Sequence, residues 1–109
     1  MGTETIFALA SGAGRAGVAV FRLSGPMVGE SLERLSRRPL PTPRRAVRVR
    51  LWDSLGELLD DGLALWFPGP ASFTGEDVVE LHTHGGRAVV AALSEALVGL
   101  GLRPAEPGE

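Results

Sequence analysis

Two stretches of this chain, and no more, repeat apolar residues at helical spacing, and that ceiling on helices constrains the fold more than any other feature. Val28, Leu32 and Leu35 form the first stripe; Val89, Leu93, Ala96, Leu97 and Leu100 form the second. The remaining apolar segments alternate with period two or run continuously over a few residues, as strands do. Thr5 to Ala10 is a short apolar stretch. In Val18 to Leu23, the residues Val18, Val20 and Arg22 share one face, and Ala19, Phe21 and Leu23 the other. Within Ala46 to Trp52, Val47, Val49 and Leu51 alternate against Arg48 and Arg50, a half-exposed strand. Leu63 to Phe67 is continuously apolar, the pattern of a central strand. Val78 to Thr83 is a further strand. The order is β-β-α-β-β-β-α, with a final strand cut off at Glu109. Two helices are too few for a doubly wound sheet. The expected fold is α+β: a mixed sheet with both helices packed on one face.

Turn chemistry fits this division. Ser24-Gly25-Pro26 signals a helix start, because Pro is tolerated in a first turn. Pro39-Leu40-Pro41-Thr42-Pro43 ends that helix in a stiff connection. Asp53-Ser54-Leu55-Gly56 reads as a turn and Pro68 to Asp77 as a Pro/Gly-rich loop that caps the next strand. Gly99, Gly101 and Pro104 stop the second helix.

The 109 residues allow one core, since a domain usually takes roughly 100–150. With 44% hydrophobic residues that core is available. No apolar run approaches the ~20 residues needed to cross a bilayer, and the N-terminus has no signal-peptide pattern. A cytoplasmic protein without membrane attachment is the expectation. Pro104 to Glu109 carries no stop signature and reads as a boundary within a longer chain. The absence of cysteine removes disulfides, thiolate metal sites and cysteine nucleophiles together. A formal charge of −2 does not recruit polyanions in bulk. Arg34, Arg37, Arg38, Arg44, Arg45, Arg48 and Arg50 nevertheless cluster in the first half, as a solvated face or a local phosphate-binding surface.

The motifs divide into exclusions and open alternatives. Gly12-Ala13-Gly14-Arg15-Ala16-Gly17 matches G-x-G-x-x-G, but the dinucleotide mechanism needs a helix next and a strand follows, so a tight turn is preferred. A Walker A loop needs a Lys, and this chain has none, which excludes P-loop hydrolysis here. Arg22 lies mid-strand; burying it requires an anionic or acceptor-rich ligand, or an internal salt bridge with one of the 13 acidic residues. Glu80, His82 and His84 share one strand face opposite Val79, Leu81 and Thr83. They offer either a His-His-Glu zinc set or, through Glu80, a carboxylate that accepts parallel N–H bonds from a planar edge such as a pterin's. Arg22 and Glu80 each sit near a strand end that runs into a Gly-containing helix start. If the two strands lie side by side and parallel, both turns open at one sheet edge, where helix N-termini favour a carboxylate.

Residues 64–86, Gly14 to Gly25, the opening Thr5-Ile6 and the closing segment from Arg103 to Glu109 resemble the N-terminal domain of the MnmE (TrmE) family of bacterial tRNA-modification GTPases. The resemblance covers the chain in order and is weak only from about Glu30 to Leu59. It implies a fold similar to the folate domain of the glycine-cleavage T protein. It implies a homodimerising module that binds 5-formyl- or methylene-tetrahydrofolate, with Arg22 and Glu80 as folate contacts. It also implies that the full-length protein is a GTPase using GTP, Mg and K. That protein would act with the flavoprotein MnmG on C5 of the wobble uridine of certain tRNAs. A third folate contact (a Lys), the helical domain, the GTPase domain and a catalytic cysteine would lie beyond Glu109. Two other readings stay open: a purely structural dimerisation domain, and a small metal-dependent enzyme built on Glu80, His82 and His84.

Overall fold

The computed structural model describes residues 4–10, 17–70 and 75–108. The elements run β1 (Ile6–Leu9), β2 (Val18–Ser24), α1 (Val28–Ser36), β3 (Val47–Trp52), β4 (Leu58–Phe67), β5 (Val78–His84), α2 (Arg87–Gly99) and β6 (Arg103–Pro104). All strands join one sheet in the order β3-β4-β5-β2-β1-β6. The sheet is mixed: β6 pairs parallel with β1, and every other neighbour is antiparallel. The G-x-G-x-x-G segment, apart from Gly17, lies outside the described residues.

Period-two patterning turns one face of this sheet inward. Ala19, Phe21 and Leu23 of β2, Val49 and Leu51 of β3, Ala64 of β4, and Val79 and Leu81 of β5 are all buried. They form one cluster with Val28, Leu32 and Leu35 of α1 and with Leu93 and Leu97 of α2. Both helical stripes therefore cover the same sheet face, and the other face stays open. This is the expected α+β arrangement. Among the described residues, no helix is long and apolar enough to cross a membrane.

The start of α1 is fixed by tertiary structure. Its flanking residue Met27 makes no side-chain cap. Instead the Met27 backbone N–H donates to the Thr5 hydroxyl at 3.0 Å, which ties the helix to the strand beside it. Gly25, with φ of +135°, passes so close to the residue preceding β1 that an added Cβ would stand 2.7 Å from the Thr5 Cα. The helix ends at Arg37, which adopts the left-handed conformation at φ of 57° and donates its N–H to the Glu33 carbonyl. The stop thus precedes the proline segment that the sequence suggested.

Two expectations need correction. The last strand lies short of Glu109: β6 spans Arg103–Pro104 and pairs with β1. And β2 and β5 lie side by side but antiparallel. The crossover through α1 sets β3 running opposite to β2, and the two reversals β3-β4-β5 return β5 to the direction of β3, so β5 meets β2 antiparallel. The Gly25 turn and the Gly85-Gly86 turn consequently leave opposite ends of the sheet. They do not form a shared anion-binding edge.

Candidate functional site

The antiparallel register places Arg22 directly opposite Glu80, and both side chains project from the open face. Arg22 Nη2 donates to Glu80 Oε2 at 3.0 Å and Nε donates to the same oxygen at 3.3 Å. His82, two residues along β5, donates from Nε2 to the other oxygen, Oε1, at 3.2 Å. The Glu80 side chain is only 14% exposed, whereas Arg22 is 45% exposed. The structure thus brings the two sequence-predicted site residues together on one face. The acidic partner foreseen for Arg22 is Glu80 itself.

Burial works against ionising Glu80, but the hydrogen bonds from His82 and Arg22 and their charges outweigh it, and its pKa is lowered. Glu80 is therefore a carboxylate at neutral pH. A lowered folded-state value stabilises the fold above the ordinary value of 4.5, and the gain is lost as pH falls through the lowered one. Urea unfolding midpoints recorded from about pH 5 downward should fall more steeply for the parent chain than for Glu80→Gln. Parallel curves would show that Glu80 does not titrate as described.

The neighbouring residues complete a polar row that sequence reading found only in part. His84 Nδ1 donates to Asp60 Oδ1 of β4 at 2.8 Å, and the His84 backbone N–H donates to Asp60 Oδ2 at 2.8 Å. Asp60 precedes the apolar run Leu63 to Phe67, in the first half of β4, which no apolar period marks in the sequence. His82 and His84 point to different carboxylates, and among the described residues no group of three or more His, Cys, Asp or Glu side chains is placed to hold a metal. Glu80, His82 and His84 do not converge as one ligand set.

Beneath the row, Ser24 Oγ donates to Glu76 Oε1 at 2.8 Å, and the Gly69 N–H donates to Asp77 Oδ1 at 2.9 Å. The Gly75-Glu76-Asp77 segment therefore ties the loop to the ends of β2 and β5, in keeping with its expected capping role. Ser72 and Thr74, noted in the same loop, lie outside the described residues. Apolar residues flank the row on the open face: Leu63, opposite His82, is 41% exposed, and Val18, opposite His84, is 52% exposed.

Fold and site together define a two-layer α+β domain whose uncovered sheet face carries an Arg–Glu–His row bordered by apolar side chains. The chain belongs to the family described as GTP-binding protein TrmE N-terminus, whose model matches residues 5–109. It is 70% identical over 107 residues to a tRNA modification GTPase MnmE of Paramagnetospirillum magneticum, covering 98% of this chain and 24% of that protein. Proteins of the same name from Granulibacter bethesdensis and Phenylobacterium zucineum are each 57% identical, over 100% and 98% of this chain and 24% of theirs. The chain spans about a quarter of the length of these relatives.

Proposed function

We propose that this chain is the N-terminal module of a tRNA-modification GTPase, and that it binds a 5-formyl- or methylene-tetrahydrofolate on its open sheet face and pairs there with a second copy. The whole protein, in this reading, acts with MnmG in the cytoplasm on the wobble uridine of certain tRNAs. GTP, Mg and K belong to a domain other than this one, because a Walker A loop needs a lysine and the chain has none.

The observation that carries the folate reading is an ionised, largely buried Glu80 opposite a half-exposed Arg22. A carboxylate offers about four acceptor positions. Among the described residues, Arg22 takes two of them and His82 one. A pterin edge brings two parallel donors, so it fits Glu80 only if Arg22 gives up at least one of its bonds. Such a partly exposed ion pair is worth about 0.2–1 kcal/mol, so the exchange is inexpensive. The half-exposed Arg22 guanidinium, beside Glu80, can then turn a donor toward a carboxylate or carbonyl of the same ligand, in keeping with the assignment of both residues to one site.

Calorimetry with 5-formyl-tetrahydrofolate tests this directly. Glu80→Ala should weaken binding about ten- to hundredfold, the range of charge-assisted hydrogen bonds. Unchanged affinity would remove Glu80 from the site. The exposed Val18 and Leu63 favour a second reading, a purely structural dimerisation domain. Sedimentation in the same buffers separates the two: self-association with no heat of folate binding supports the structural domain.

A further inference from the structure

The arginines that sequence reading left between a solvated face and a phosphate-binding surface are gathered by the fold. Arg37 and Arg38, at the end of α1, and Arg48 and Arg50, on the edge strand β3, line one open groove of about 820 Å³ together with Trp52 and Asp61. Four guanidinium groups face a single carboxylate there, in a chain whose net charge is −2. The positive charge is thus segregated against the overall balance, along an outer edge of the sheet.

We propose that this groove binds the phosphodiester backbone of RNA. Arg48 and Arg50 stand two residues apart on a strand, which separates their Cα atoms by about 7 Å, the scale of successive phosphates along a strand. Arg37 is held in place: its guanidinium lies over the Trp52 ring at 5.3 Å from the centroid, and its backbone is locked in the left-handed cap. Among the described residues, no ion pair engages Arg37, Arg38 or Arg50. Arg48 reaches Asp61 at 3.3 Å, with its side chain 81% exposed, a contact that phosphate oxygens can replace. Guanidinium forks suit phosphate, and β3 presents them without a base-reading element entering a groove, so the contact orients RNA without selecting its sequence. The inference rests on the tRNA half of the proposed function and not on the folate half. Arg48 and Arg50 belong to β3, separated from Glu80 on β5 by the whole of β4.

Fluorescence anisotropy of the chain with a fluorescein-labelled tRNA anticodon hairpin provides the test. Affinity should fall between about 50 and 200 mM salt, with a log–log slope of about −2 to −3 for three or four phosphate contacts. The exposed triple variant Arg38→Gln/Arg48→Gln/Arg50→Gln, which keeps only Arg37 of the four, should bind at least about tenfold more weakly and with a slope no steeper than about −1. Its circular dichroism melt and its heat of folate binding should match the parent's. Undiminished RNA affinity in the folded triple variant overturns the groove, as does no binding by the parent at about 50 mM salt. Binding to phosphatidylglycerol vesicles without binding to the hairpin overturns it in favour of a membrane surface. Loss of folate binding in Glu80→Ala with RNA binding intact leaves the groove standing.

Discussion

Phe21→Ala should destabilise the chain by about 3–5 kcal/mol, the cost of truncating a buried aromatic where the surroundings cannot collapse. Phe21 is 1% exposed, sits on β2 at the middle of the sheet, and faces Leu81 on one side and Leu9 on the other. Its ring is tilted against Phe7, with centroids 6.5 Å apart. Removing it takes the contact between the central strands and the β1 side of the core at once. A domain of this size holds only about 5–15 kcal/mol, so the loss is a large fraction of the whole. The thermal midpoint should fall by roughly 15 °C or more. Urea unfolding should show a lower midpoint with an unchanged slope. A fall of less than about 1 kcal/mol would mean that the two halves of the core do not depend on this ring.

Gly62→Ala should cost about 3 kcal/mol through overpacking, although Ala is the smallest change available. A Cβ on Gly62 would run into the His82 carbonyl oxygen and stand 3.2 Å from its carbonyl carbon. Both atoms are backbone of the adjoining strand, so no side chain can swing aside. Relief requires β4 and β5 to part, and these strands carry the two His–carboxylate pairs, His82–Glu80 and His84–Asp60. The expected result is a lowered thermal midpoint together with a shift of the His82 and His84 imidazole resonances. Gly86 is the control for a glycine without such a neighbour, since nothing lies within 4 Å of its would-be Cβ. Equal effects at both positions would contradict the close approach.

The amino-acid order by itself marked both helices, the place of each longer strand and most of the residues that face the core, although β4 begins at Leu58, ahead of its apolar run, and Leu63 within that run is exposed. Those properties follow from local periods, 2.0 along a strand and 3.6 along a helix, that neighbouring residues impose on one another. Phe21, Leu81, Leu32 and Leu93 were readable as core for that reason, and Arg22 and Glu80 as polar residues on otherwise apolar strands. The family resemblance added a reason to pair those two, but the order of the strands and their directions had no local signal. Whether β5 runs with or against β2 depends on how many reversals separate them, and the parallel expectation was wrong on that count. Asp60 as the partner of His84, Thr5 as the cap of α1, and the gathering of Arg37 and Arg38 with Arg48 and Arg50 likewise join residues from separate elements. Periodicity assigns a residue to a face, while only packing of the whole chain decides which other faces it meets.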